Sequence, residues 1–170
     1  MRKTEVISRE EFVNAFGEME RSLFCIARSF SLSDADCDDV LQESALKAWQ
    51  CRGQLKQKAY FKTWATRILI NECKRTLRKN RRMLPVAQIP EDQMPVSSRE
   101  DADIDQPLHD ALYALDIKYR LPLTLKYRDG YAVDEIARIL RLPSGTVTTR
   151  LYRARNKLKQ LLTGEEALEL

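Results

Sequence analysis

A chain of 170 residues, 44% hydrophobic and 32% charged, has room for one ordinary domain or two small ones and is too apolar for wholesale disorder. Its apolar runs are only a few residues long, as in Ile68-Leu69-Ile70, far short of the ~20 residues that span a bilayer. No signal-peptide core follows Met1-Arg2-Lys3, so a soluble, cytoplasmic protein without membrane insertion is expected.

The net charge of +4 divides unevenly along the chain. Residues 1–60 carry 9 basic and 10 acidic side chains, and residues 61–82 carry 8 and 1. Residues 83–107 carry 1 and 6, and residues 108–170 carry 11 and 8. Blocks of opposite sign argue for a polyanionic partner and an acidic spacer.

The predicted elements begin with a long helix whose buried face carries Phe12, Phe16, Met19, Leu23, Ile26, Ala27 and Phe30 at spacings of three and four. Ser31-Leu32-Ser33-Asp34 breaks it, and Ser33 followed by Asp36 resembles a capping box. The second helix turns Val40, Leu41, Ala45, Ala48 and Trp49 inward, with its acids near the positive end of the helix dipole. Residues 50–60 read as a loop. The third helix has Phe61, Trp64, Ala65, Ile68 and Leu69 on one face, and Lys62, Arg67, Lys74, Arg75, Arg78, Lys79, Arg81 and Arg82 elsewhere. Phe61 and Trp64 read as core side chains ahead of base-stacking platforms.

Residues 83–107 hold four of the six prolines and six acids, and predict an extended acidic linker. The expectation is therefore an all-α protein: a helical domain over 1–82, the linker over 83–107, and a second helical domain over 108–170. In that second domain Leu108, Leu112 and Leu115 start a helix, Pro122 starts another, and Gly130 ends it. Two amphipathic helices then flank Arg141-Leu142-Pro143-Ser144-Gly145. The first buries Val133, Ile136, Ala137 and Leu140. The second buries Val147, Leu151, Ala154, Leu158 and Leu161, with Ser144 as its N-cap. That pair describes a helix-turn-helix. Thr146, Thr148, Thr149, Arg150, Tyr152 and Arg153 lie off its core stripe, where base edges and phosphates would be met.

Catalytic and metal chemistry find no support. Cys25, Cys37, Cys51 and Cys73 form no C-x-x-C pair, and His109 is the single histidine. Cys25 and Cys73 read as core, Cys37 and Cys51 as exposed. No glycine-rich phosphate loop or triad is present. No enzyme activity and no cofactor are expected.

Several segments resemble one family, the extracytoplasmic-function (ECF) sigma factors of bacterial RNA polymerase. Residues 38–49, Asp38-Asp39-Val40-Leu41-Gln42-Glu43 onward to Trp49, look like its polymerase-binding helix. Phe61-Lys62-Thr63-Trp64-Ala65-Thr66-Arg67-Ile68 with Asn71 resembles its −10 recognition helix. Asp134-Glu135-Ile136-Ala137, Leu142-Pro143-Ser144-Gly145-Thr146-Val147 and Arg150-Leu151-Tyr152-Arg153-Ala154-Arg155 resemble its region 4.

The resemblance implies that Asp38, Asp39, Gln42 and Glu43 dock on core RNA polymerase. It places Lys62, Trp64, Arg67, Asn71, Lys74 and Arg75 at the −10 element, with the 50–60 loop capturing a flipped base. Ser144, Thr146, Thr148, Thr149, Arg150, Tyr152 and Arg153 would read the −35 element. It further implies a linker threading the RNA-exit path and a membrane-anchored anti-sigma partner. Thr148 departs from the basic residue common in the family, Ala65 from leucine and Ser144 from valine, which bears on promoter sequence rather than class. A stand-alone helix-turn-helix regulator is the rival reading, and leaves the Asp38–Glu43 helix without a purpose. A non-specific RNA- or ssDNA-binding protein needs only the basic blocks and does not predict the helix-turn-helix.

Overall fold

The computed structural model describes residues 6–83 and 105–164, which carry seven α-helices and no strand. The chain divides into two compact units, Met1–Pro90 and Glu91–Leu170. Most of the predicted linker, residues 84–104, lies outside the described residues.

In the first unit, helices α1 (Arg9–Arg28), α2 (Asp34–Gln50) and α3 (Phe61–Met83) all pack against one another. A reciprocal capping box starts α1: the Ser8 hydroxyl accepts from the Glu11 N–H at 3.2 Å, and the Glu11 carboxylate accepts from the Ser8 N–H at 2.8 Å. At the predicted Ser33 cap only the hydroxyl half forms, at 3.1 Å from the Asp36 N–H. The α1–α2 corner is held by buried Arg28, which donates to the Leu32 carbonyl at 2.8 Å and pairs with Asp34 at 3.1 Å.

The core of this unit is Leu23, Ile26, Leu69, Ile70, Cys37 and Cys73, all almost completely buried. At one end Phe12 stands edge-on to Trp49 (5.3 Å) and Phe61 (5.6 Å) and stacks on Phe16. Cys37 corrects the expectation of an exposed thiol: it faces inward one turn before Val40, and burial pushes its pKa up to about 12. Ala45 and Trp49 are only half-buried, whereas Ser44 is fully buried because its hydroxyl donates to the Val40 carbonyl at 2.6 Å.

In the second unit α4 (Gln106–Ala114), α5 (Ile117–Leu123) and α6 (Val133–Leu140) all pack on α7 (Ser144–Thr163). Buried Leu125, Ile136, Ile139, Val147 and Leu151 form its centre. His109 is buried beside the Tyr113 ring, with centroids 4.6 Å apart. α4 begins before the predicted end of the linker and takes Pro107 into its first turn, where a missing N–H costs nothing.

Pro122 does not start a helix. Asp116 does, accepting from the Lys118 N–H at 2.9 Å, and Pro122 lies fully buried inside α5. The chain widens directly after it into a π-helical turn, Thr124–Arg128, which ends before Gly130 at φ 72°. Leu121, Leu123 and Leu125 are all buried across this change of pitch.

Two further expectations fail in the last helices. Leu161 is half exposed, on an open groove that it lines together with Ala114, Leu115 and Tyr119. Ser144 is not a cap: Pro143 occupies that position, and the Ser144 hydroxyl instead donates to Asp134 at 2.6 Å, tying α7 to the first turn of α6. Between these helices Arg141 adopts the left-handed conformation, at φ 55° and ψ 48°. A Cβ is disfavoured there by ~1 kcal/mol. Arg141→Gly is therefore expected to raise the melting temperature of the second unit by a few degrees, corresponding to about 0.5–1 kcal/mol. Scanning calorimetry checks this, and an unchanged or lowered transition would contradict it.

Candidate nucleic-acid interfaces

On α2 the residues Asp38, Asp39, Gln42 and Glu43 recur on the side opposite Cys37, Val40, Leu41, Ser44 and Ala48. The first three are exposed and Glu43 is half-buried, 3.9 Å from Lys47 one turn on. The result is an acidic strip on a helix fixed by two neighbours.

On α3 one solvent-facing stripe carries Trp64, Arg67, Asn71 and Arg75, continues to Arg78 and Arg82, and has Lys74 at its edge. Lys62 does not join it. With about 100° between successive residues, Lys62 falls on nearly the opposite side from Asn71 and is exposed only because it lies in the first turn. Trp64 is half-buried with its ring 5.9 Å from that of Phe61, whereas Phe61 is buried. The core assignment therefore holds for Phe61 and only partly for Trp64.

The 50–60 segment contains two 3-10 turns, Arg52–Gln54 and Lys58–Tyr60. Three contacts anchor it. The Arg52 guanidinium lies 3.8 Å over the Trp49 ring and donates to the Trp49 carbonyl, Leu55 is buried, and Lys58 pairs with Glu11 of α1 at 2.7 Å. The hydrogen bond from Lys58 is the main cause holding the Glu11 carboxyl below its usual pKa. Between the anchors Gly53, Gln54, Lys56 and Gln57 remain exposed, as do Ala59 and Tyr60 after the last. Sequence reasoning placed no function on Glu11, Arg52 or Lys58, because their partners are distant or depend on how the turns fold.

On α7 the buried stripe Val147–Leu151–Ala154 leaves Thr148, Thr149, Tyr152 and Arg153 exposed, with Thr146 and Arg150 half-buried at the flank. The Thr148 hydroxyl donates to the Ser144 carbonyl at 3.0 Å and that of Thr149 to the Gly145 carbonyl at 2.9 Å. Their hydroxyl protons are thus committed and are not free to donate to a phosphate, so these threonines suit thymine methyls better than phosphates. Arg155, on the same helix, donates to the Tyr127 hydroxyl at 2.6 Å. Among the described residues no helix is long and apolar enough to cross a membrane, and no group of three His, Cys, Asp or Glu side chains is placed to hold a metal ion.

Comparison with known proteins follows the same division. Sigma-70 region 2 matches residues 16–83, and Sigma-70, region 4 matches residues 105–158. The ECF RNA polymerase sigma factor SigM of Mycobacterium tuberculosis is 33% identical over 156 residues, covering 91% of this chain and 78% of SigM. The RNA polymerase sigma factor SigV of Bacillus subtilis is 27% identical over 164 residues, covering 96% and 98%. Among solved structures, CnrH in complex with the cytosolic domain of CnrY gives a TM-score of 0.69 at 25% identity, covering 94% of this chain and 92% of CnrH. The sigma factor RpoE in complex with the anti-sigma factor NepR, from Bartonella quintana, shares the fold with a TM-score of 0.72 at 24% identity, covering 92% and 99%.

Proposed function

Because the chain belongs to the ECF sigma factors of RNA polymerase and carries sigma-70 regions 2 and 4 in order, we propose that each of its surfaces serves one step of transcription initiation. The acidic strip Asp38, Asp39, Gln42 and Glu43 docks the first unit on core RNA polymerase. The Trp64–Arg67–Asn71–Arg75 stripe and Lys74 engage the −10 strand, and the anchored loop receives a flipped base. Lys62, on the other side of α3, is left to contact phosphates outside that stripe.

Flipping a base costs a few kcal/mol of unstacking. A pocket that offsets this cost lets capture drive melting without ATP, so the chain acts as a non-enzymatic factor. In the second unit α7 enters the major groove at the −35 element. Arg150, Tyr152 and Arg153 supply polar and stacking contacts there, Thr146, Thr148 and Thr149 supply methyls, and Ser144 braces the turn.

An anti-sigma partner, membrane-anchored or not, would restrain the chain in the cytoplasm by covering the polymerase-facing strip. The presence of both regions in one chain carries this reading, since a stand-alone regulator needs only the second unit. The test is to add the purified chain to core RNA polymerase and measure promoter-dependent transcription. No association with core sinks the proposal. Arg153→Ala is expected to weaken −35 binding by about 1–3 kcal/mol if Arg153 contacts a guanine. Fragment-binding titrations with matched and mutated −35 sites check it, and equal losses on both would reassign Arg153 to phosphate.

A further inference from the structure

Residues 61–82 hold eight basic side chains and a single acid, Glu72, and that acid is buried. A buried carboxylate persists only where cations compensate it. Glu72 has two, one on each oxygen. Oε1 accepts a hydrogen bond from the Lys47 ammonium of α2, and Oε2 lies 3.5 Å from the Arg75 guanidinium on its own helix. Lys47 in turn lies 3.9 Å from Glu43. Glu43, Lys47, Glu72 and Arg75 therefore form a line of alternating charge. One end is on the acidic strip of α2 and the other is on the basic stripe of α3, where the Arg75 side chain is 66% exposed.

Resting on the reading of these two faces given above, we propose that Glu72 is a positioning residue shared by both. It orients Arg75 for the −10 strand while fixing Lys47 beside the polymerase-facing Glu43. A long side chain already ordered by an ion pair loses less freedom when it meets a phosphate. The fixed carboxylate thus improves DNA binding although its own charge opposes it.

That opposition makes the proposal testable. Removing a negative charge from a DNA-facing helix raises its positive potential, so charge alone predicts tighter DNA binding by Glu72→Gln. Positioning predicts the reverse. Holoenzyme assembled from the full chain and core polymerase is titrated with a fluorescent −10 single strand, using wild type, Glu72→Gln, Arg75→Ala and the double variant.

The expected result is a loss of about threefold to tenfold for each single variant, and a double variant no weaker than Arg75→Ala alone. Lys47→Met with Glu72→Leu removes the pair without leaving a charge uncompensated. It keeps the helix packing, checked by circular dichroism, and shows the same loss should Glu72→Gln alone fail to fold. Unchanged or tighter binding by the Glu72 variants overturns the inference, as do losses that multiply in the double variant. If Arg75→Ala itself has no effect, the reading of the α3 stripe fails, and the role of Glu72 with it.

Discussion

Replacing Asp39 and Glu43 together by lysine is expected to weaken association with core RNA polymerase by about 100-fold or more. Reversing two charges in a docking strip replaces attraction by like-charge contact, which costs several kcal/mol, at about 1.4 kcal/mol per tenfold. The fold should not suffer. Asp39 is exposed, and Glu43 contributes only the 3.9 Å pair with Lys47, a half-buried i,i+4 pair of a kind worth a few tenths of a kcal/mol. Asp39→Lys alone carries the polymerase effect without disturbing Lys47. Binding of labelled chain to core, with circular dichroism as the control for folding, measures it. Core affinity within about threefold of wild type would remove the α2 strip from the interface.

Arg120→Leu is expected to unfold the second unit while leaving the first intact. The guanidinium is buried, donates to the Tyr113 carbonyl at 2.8 Å and the Leu115 carbonyl at 2.9 Å, and lies 4.9 Å from the Tyr113 ring. It thereby closes the corner between α4 and α5. Burial draws its pKa below the ordinary arginine value, while Tyr113 and Asp116 act in the opposite sense. Leucine fills much of the space but leaves two carbonyls without their donor, at ~1–3 kcal/mol each. For a unit of this size that approaches its whole stability. Amide exchange would show protection lost in residues 105–164 and kept in 6–83. Protection retained in both ranges would show that water or a shifted backbone replaces the guanidinium.

These residues mark where sequence is readable. The stripes of α1, α6 and most of α7 follow a period near 3.6 with one polar face, so their existence, direction and buried side are legible. α5 is buried nearly all round, and it has no stripe to read. Pro122 then looks like a start, because nothing in the local pattern reveals that Asp116 caps the helix and a π turn absorbs the change of register. Cys37 was misjudged for a related reason. It falls on the inner side of α2 by register, but its chemistry suggested a surface.

Which side of each helix carries the exposed charge was legible residue by residue, since charge on a periodic helix declares its side. Lys62 stands off the α3 stripe by register. What sequence hides is pairing across elements: Glu11 with Lys58, Lys47 with Glu72, Asp134 with Ser144. One signal was available, the lone acid of residues 61–82. A single carboxylate among eight cations has a partner more often than it has an accident to explain.

The burial of three of the four cysteines gives the chain a built-in experimental handle. Cys25, Cys37 and Cys73 are shielded from solvent, and burial also raises the Cys73 thiol well above its usual pKa. Only Cys51 is partly open, at the end of α2 and next to Arg52, the first anchor of the loop. A thiol-reactive dye should therefore attach to the native sequence at one place. It would sit at the mouth of the loop, where its emission tests the proposed strand capture in real time without an engineered cysteine.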